Sequence, residues 1–307
     1  MKKVWWIVAI VIGLGLLVYA GGSWYFATVL IAAETQPLED SIARMEAAGV
    51  DGEGLPEPEL ISVQNGDVTL EGWFYENPAD ADCAVLLLHG YRSTRAGALQ
   101  YAPLFWDRGC HLLAYDARGH GNSSDTFHTY GYYEKEDGTA VYNWLLSETG
   151  LAKEQVGLTG VSYGAATSLQ MAPLVDPAFV IADSAYQDLR TIVSVQAVNT
   201  FGEWVNLFVP GAFFMAELRT GMDVDEVSPR NAVIDIDTPL LITHSLQDEF
   251  TASLNSEGIY ENANKDTAVL SINDWGAPHG TDIFERPDEY EAMVDEFLAE
   301  FVPEFGN

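Results

Sequence analysis

Positive charge is scarce in this 307-residue chain: 14 Lys and Arg stand against 46 Asp and Glu, a formal charge of −32. Only five of the basic residues are lysines, at positions 2, 3, 135, 153 and 265. Such a chain gains nothing from the counterion release that drives binding to DNA and RNA, so nucleic acid is excluded as a partner. Its carboxylate field keeps the surface soluble and repels anionic headgroups. This reads as a solvated acidic surface, with adaptation to high salt as the sharper alternative. Cysteine is nearly absent, and two residues make no disulfide scaffold. Cys83 and Cys110 each stand six residues before a strand-end motif, at His89 and Asp116, so adjacent strands would set them side by side. Strand neighbours seldom reach disulfide geometry, and the expectation is two buried small hydrophobes.

Charge is wholly missing from residues 4 to 33, a run long enough on a helix to cross a hydrocarbon core of about 30 Å. Trp5 and Trp6 near one end and Trp24 and Tyr25 near the other lie about 28 Å apart on such a helix, the spacing of two interfacial belts. Lys2 and Lys3 favour a cytoplasmic N-terminus, which puts the remainder outside the cytoplasm. Residues 1–33 are therefore expected to be a transmembrane anchor. The alternative is a signal peptide cleaved after Val18-Tyr19-Ala20, which would release the same domain by secretion.

What the chain has in plenty is apolar residues, 48% of the total, enough for a sizeable core. Residues 34–58 mix acids, Pro and Gly without sustained periodicity and read as a linker with room for one short helix. From Glu59, ELISVQ and VTLEGWFY alternate around Asn65-Gly66-Asp67, an antiparallel hairpin pattern. The character then changes. CAVLLLHG, CHLLAYD, QVGLTGVS, AFVIADS, PLLITHS and TAVLSIN are near-continuously apolar, as strands buried on both faces must be. Helical patterns such as TRAGALQYAPLFWDRG, GTAVYNWLLSETG, YGAATSLQMAP and DEYEAMVDEFLAEFV lie between or after them. Alternating strands and helices imply an α/β domain, 59–307, with a mostly parallel sheet between helical layers. One stretch breaks the alternation: about 189–236 is expected to be an inserted helical cap, with Phe201, Trp204, Phe208, Phe213, Phe214 and Met215 chiefly packing it onto the body. A cap at that sheet edge would cover the place where open α/β sheets bind ligands.

The chemistry centres on GLTGVSYGAATSLQ, residues 157–170, where Ser162 stands at a strand-to-helix junction between Gly160 and Gly164. A sharp turn there exposes the hydroxyl as a nucleophile elbow. A serine hydroxyl needs a base and an orienting carboxylate. His279 is the one histidine after the last strand, and Asp248 follows PLLITHS at the same sheet edge. Glu249 and Asp183 are the other acids in position. Backbone N–H groups of Tyr163 and Tyr91 would stabilise an oxyanion. Asp116 and Arg118 of YDARGHGNS read as loop braces.

Together HGYRST, YDARGHGNS, GVSYG, PLLITHSLQDEF and the late His279 resemble, in order, the α/β-hydrolase superfamily. TYGYYEKED and VIADSAYQDL make the chain most similar to bacterial membrane-anchored serine aminopeptidase and lysophospholipase-like members. The resemblance implies an eight-stranded sheet, a Ser162–His279–Asp248 triad and hydrolysis needing neither metal nor cofactor. Two departures stand out: His244-Ser245 where the family more usually has His-Gly, and Pro278 where a Gly commonly precedes the histidine. The expected function is serine hydrolysis of carboxylic esters, of small acyl or lipid-derived substrates. An aminopeptidase or amidase, with Glu203, Glu217 or Asp223 receiving an ammonium, is the alternative within the fold. A non-catalytic membrane-tethered binding protein is the alternative outside it. Oligomeric state is not legible in the sequence.

Overall fold

The computed structural model describes residues 2–32, 35–48, 54–79, 81–234 and 236–306. The expected anchor end at Ala33, the first linker residue Glu34 and the linker stretch 49–53 lie outside the described residues.

Each apolar run becomes a strand of one sheet: β1 (Glu59–Asn65), β2 (Val68–Tyr75), β3 (Ala84–Leu88), β4 (His111–Tyr115), β5 (Val156–Val161), β6 (Val180–Asp183), β7 (Leu240–Ser245) and β8 (Ala268–Asn273). The order is β1-β2-β4-β3-β5-β6-β7-β8, with β2 antiparallel to both neighbours and the other pairs parallel. The helices are α1 (Lys2–Ile31), α2 (Leu38–Ala48), α3 (Arg95–Ala98), α4 (Ala102–Trp106), α5 (Glu134–Thr149), α6 (Tyr163–Val175), α7 (Leu189–Phe201), α8 (Val209–Thr220), α9 (Pro229–Ala232), α10 (Leu254–Asn262), α11 (Asp282–Glu285) and α12 (Pro287–Phe301). This is the mostly parallel α/β sheet, flanked by helices, that the alternating pattern implies.

Strand β3 shows why its residues are apolar without alternation. Leu86 and Leu88 enter the core that α5 and α6 close, while Val85 and Leu87 enter the one that α4 and α12 close. Successive side chains point to opposite faces, so a sheet covered on both sides requires apolar residues at every position. The run TRAGALQYAPLFWDRG is not one helix: a 3₁₀ turn at Leu99–Tyr101 separates α3 from α4. Pro103, in the first turn of α4, has no N–H to carry the helical ladder through this point.

One expectation from the sequence is overturned. Cys83 and Cys110 form a disulfide. They stand one residue ahead of β3 and β4, which pair in parallel, and their Cα atoms are 4.7 Å apart. At that strand entry their side chains meet in the α4/α12 core, within bridging range. The N-terminal helix also packs on the domain. Its last three turns pack on α8, and Ala27, Leu30 and Ile31 share a third apolar cluster with Leu189, Phe213 and Met222. Of the aromatics between β6 and β7, Phe208 stacks on Tyr19 of α1, whereas Trp204 and Phe214 are exposed. Phe201, Trp204 and Phe208 meet Phe26 of α1, while Phe213 is buried in the cluster that holds Ala166 and Tyr186.

Candidate active site

Strand β5 ends at Val161 and α6 begins at Tyr163, leaving Ser162 alone in the turn at φ 55° and ψ −111°. A non-glycine residue held at positive φ is strained, and this one is held by a hydrogen bond from its N–H to the Asp183 carbonyl at 2.7 Å. The flanking glycines are required by space. A Cβ on Gly160 would lie 2.5 Å from the Gly164 carbonyl carbon, and one on Gly164 would lie 2.3 Å from the Leu88 carbonyl oxygen.

Ser162 Oγ stands 2.8 Å from His279 Nε2, and His279 Nδ1 stands 2.5 Å from Asp248 Oδ2. With Asp248 ionised, the Nδ1–H donates to the carboxylate and Nε2 is left to accept the serine proton. Asp248 is buried, and its Oδ1 accepts N–H groups of Phe250 and Thr251, both at 2.8 Å. Burial pushes this carboxyl upward, but hydrogen bonds from His244 and His279, the charge on His279 and the Thr251 N–H outweigh it. The carboxyl is held well below its usual range.

The other candidate acids are placed elsewhere. The Asp183 carboxylate accepts hydroxyls of Tyr101 at 2.9 Å, Tyr290 at 3.1 Å and Ser184 at 2.8 Å, and Glu249 is exposed. Tyr163 opens α6, where first-turn N–H groups have no intrahelical acceptor, and Tyr91 lies beside it with ring centroids 5.9 Å apart. The Tyr91 loop is braced from YDARGHGNS: Asp116 accepts the Arg95 N–H at 2.6 Å and pairs with the Arg95 guanidinium at 3.0 Å. Arg118 forks onto Asp137.

Ser162 opens into a cavity of about 380 Å³ walled by Tyr91, Tyr130 and Tyr186, by Ile192 and Phe201 of α7, and by Phe250. Phe26, Val29 and Leu30 of α1 complete the wall.

The comparisons with known proteins agree with this architecture. The uncharacterized protein YqkD of Bacillus subtilis (strain 168) is 30% identical over 230 residues, 73% of this chain and 74% of that one. Residues 77–207 match the X-Pro dipeptidyl-peptidase (S15) family. The esterase Pf2001 of Pyrococcus furiosus superposes at TM-score 0.61 and 25% identity, covering 80% of this chain and 91% of that one. The chain belongs to the α/β-hydrolase superfamily. It is a hydrolase. Likeness of fold extends to the acylaminoacyl peptidase of Pyrococcus horikoshii, at TM-score 0.61 and 19% identity over 82% of this chain and 43% of that one.

Sequence reasoning missed part of what surrounds the site in this α/β-hydrolase. His244, fully buried, reaches Asp248 Oδ2 with Nε2 at 3.0 Å while Nδ1 stands 2.7 Å from Ser256 Oγ. The same Nε2 meets the Thr251 carbonyl, so it must carry a proton to donate. Ser245, the residue where the family more usually has Gly, donates to the Ala277 carbonyl. That departure was the available signal. His89, His120 and His128 cluster behind Tyr91, with ring centroids 4.9 Å and 4.5 Å apart. Burial lowers the pKa of His89 and His120, which keeps both neutral as acceptors for the N–H groups of Ala117 and Arg92.

Proposed function

We propose that this hydrolase cleaves carboxylic esters through a Ser162 acyl-enzyme, with His279 as base and Asp248 as its orienting acid. The observation that carries the reading is the chain from Ser162 Oγ through His279 to Asp248, with its serine end open to an apolar cavity. His279 Nε2 takes the serine proton as Oγ bonds to the acyl carbon, and the carbonyl oxygen becomes an oxyanion facing the N–H groups of Tyr91 and Tyr163. Collapse breaks the ester C–O bond, and the imidazolium returns the proton to the departing alcohol. Water, deprotonated by His279, then frees the acid and restores Ser162. Asp248 fixes the tautomer and stabilises the cation at each step.

The peptidase alternative is less well supported. An ammonium subsite needs a carboxylate, and none is found among the described residues that wall the cavity. Glu217 accepts the Val224 N–H, Asp223 the Asp225 N–H and Glu203 the Asn206 amide, so each is engaged locally. The α1 helix, the one described helix long and apolar enough to cross a membrane, is read as a single-pass anchor with Lys2 and Lys3 on the cytoplasmic side. A disulfide accords with a catalytic domain outside the cytoplasm.

The test is labelling by a fluorophosphonate, read by mass spectrometry, alongside turnover of p-nitrophenyl esters and amino-acid anilides. Ester turnover with labelling at Ser162 that Ser162→Ala abolishes is expected. Absence of labelling overturns the Ser162 acyl-enzyme, and anilide turnover exceeding ester turnover favours the peptidase.

A further inference from the structure

Three residues of the cavity wall belong to the helix that also supplies the membrane span. Phe26, Val29 and Leu30, spaced three and four apart, lie on one face of α1 and look into the space above Ser162. Their position is fixed by contacts along the last turns. The Tyr130 hydroxyl donates to the Leu30 carbonyl at 3.0 Å, the His128 N–H to the Ile31 carbonyl at 2.9 Å, and Arg219 to Thr28 Oγ1 at 2.6 Å. Lower down, α1 and α8 approach so closely that side chains are excluded. A Cβ on Gly22 would lie 2.3 Å from the Phe208 ring, and one on Gly211 would lie 2.1 Å from Ser23 Oγ.

Length sets the depth of this contact. The exposed apolar run of α1, residues 4–18, is about 22 Å long, against about 30 Å of hydrocarbon. The missing length, about five residues, extends the span to Ser23, where α8 already lies against the helix. The exposed Trp204 and Leu207, just before Phe208 of that contact, therefore lie at the level of the outer leaflet. Phe26, one turn further along, sits near the interface, where lipid ester groups reside. The cavity's 380 Å³ falls at the small end of ligand pockets, about 300–1,000 Å³, and suits one acyl chain rather than two.

Resting on the ester-hydrolase reading, we propose that α1 is part of the substrate site: Phe26, Val29 and Leu30 form the wall against which the acyl chain lies, and the substrates are single-chain acyl esters resident in the bilayer. The strongly acidic surface turns this preference toward uncharged headgroups.

The experiment uses the full chain in phosphatidylcholine nanodiscs and compares mono-oleoylglycerol in the same bilayer with water-soluble p-nitrophenyl butyrate. The unsubstituted enzyme is expected to turn over both. Val29→Trp, at a half-exposed position facing the cavity, is expected to lower the ratio of oleoyl to butyryl kcat/KM at least tenfold. Phe26→Ala, which widens the same wall, is expected to raise it. Thermal melts verify that each variant is folded. A ratio that stays within twofold in both folded variants overturns the role of α1, and butyrate turnover without oleate release overturns the substrate class; the triad reading survives either result. No turnover of either ester together with no fluorophosphonate labelling overturns the ester reading and this inference with it.

Discussion

Ser245 Oγ donates to the carbonyl oxygen of Ala277 at 2.6 Å, tying the end of β7 to the loop that carries His279. Asp248 and His279 come from separate loops, and this bond is one of the links that hold them in register. It also shows what the departure from His-Gly at 244–245 provides, since a glycine would have no hydroxyl to offer.

Ser245→Gly is accordingly expected to loosen the His279 loop without removing any reacting group. A fall in kcat of about tenfold, with KM little changed, is anticipated, because sub-ångström misplacement of a base costs rate more than binding. Steady-state kinetics on a p-nitrophenyl ester read this out, and a change confined to KM counts against it.

In the proposed triad, replacing Asp248 with Asn leaves the shape but removes the charge that would select the His279 tautomer. A loss of about 10³–10⁴ in kcat is expected. In the folded enzyme this carboxyl sits well below its usual range, so its contribution to stability is present above the unfolded pKa near 4 and is lost as pH falls through the folded value. Chemical denaturation at pH 7 and pH 3 should show the Asn variant losing less stability on acidification than the parent.

Asp282 behaves in the opposite sense. Burial is the main cause that pushes its carboxyl up to about 6, and nearby Asp183 adds to the rise against one hydrogen bond from Asn273. A raised folded pKa means that ionisation above pH 6 costs stability that is present below pH 4. Asp282→Asn should therefore raise the melting temperature at pH 8 and change it little or lower it at pH 4.5. Equal shifts at both values would contradict the assignment.

Gly164→Ala is expected to abolish folding or activity, because the added methyl would stand 2.3 Å from a strand carbonyl that cannot give way. Gly15→Ala, where nothing lies within 4 Å, is the matched control and should melt as the parent does. Similar melts for the two variants would remove the steric argument for the turn at Ser162.

Reduction of the Cys83–Cys110 bridge, which closes a 27-residue separation, should cost about 3–4 kcal/mol by the loop-entropy relation. Melting with and without a reductant measures it, with Cys83→Ala/Cys110→Ala as the second comparison. Coincident melts would show that the bridge adds nothing.

The sheet was legible because burial on both faces forces uninterrupted apolar runs; Ser162, Asp248 and His279 each follow such a run, which is why the sequence points to these three side chains that the structure hydrogen-bonds together. The disulfide was not legible: the cysteines continue the β3–β4 register at the ladder's own spacing, 4.7 Å between Cα atoms, and what the sequence did not carry is the side-chain orientation that lets the two sulfurs meet. The second role of α1 was hidden for a different reason. A helix apolar on every side carries no stripe to mark which face meets protein, and Gly22, Ser23 and Ala27, small residues beside large ones, were the faint trace of it. His244 was hidden by its place inside a strand, where a buried histidine has no pattern of its own.

The docking of α1 on α8 bears on how the enzyme is prepared in the laboratory. A soluble truncation starting at residue 34, the obvious expression choice for a domain that follows a long apolar helix, would strip Phe201 and Phe208 of their covering and open one side of the chamber. Such material should aggregate, and whatever stays in solution should report a selectivity that belongs to the truncation.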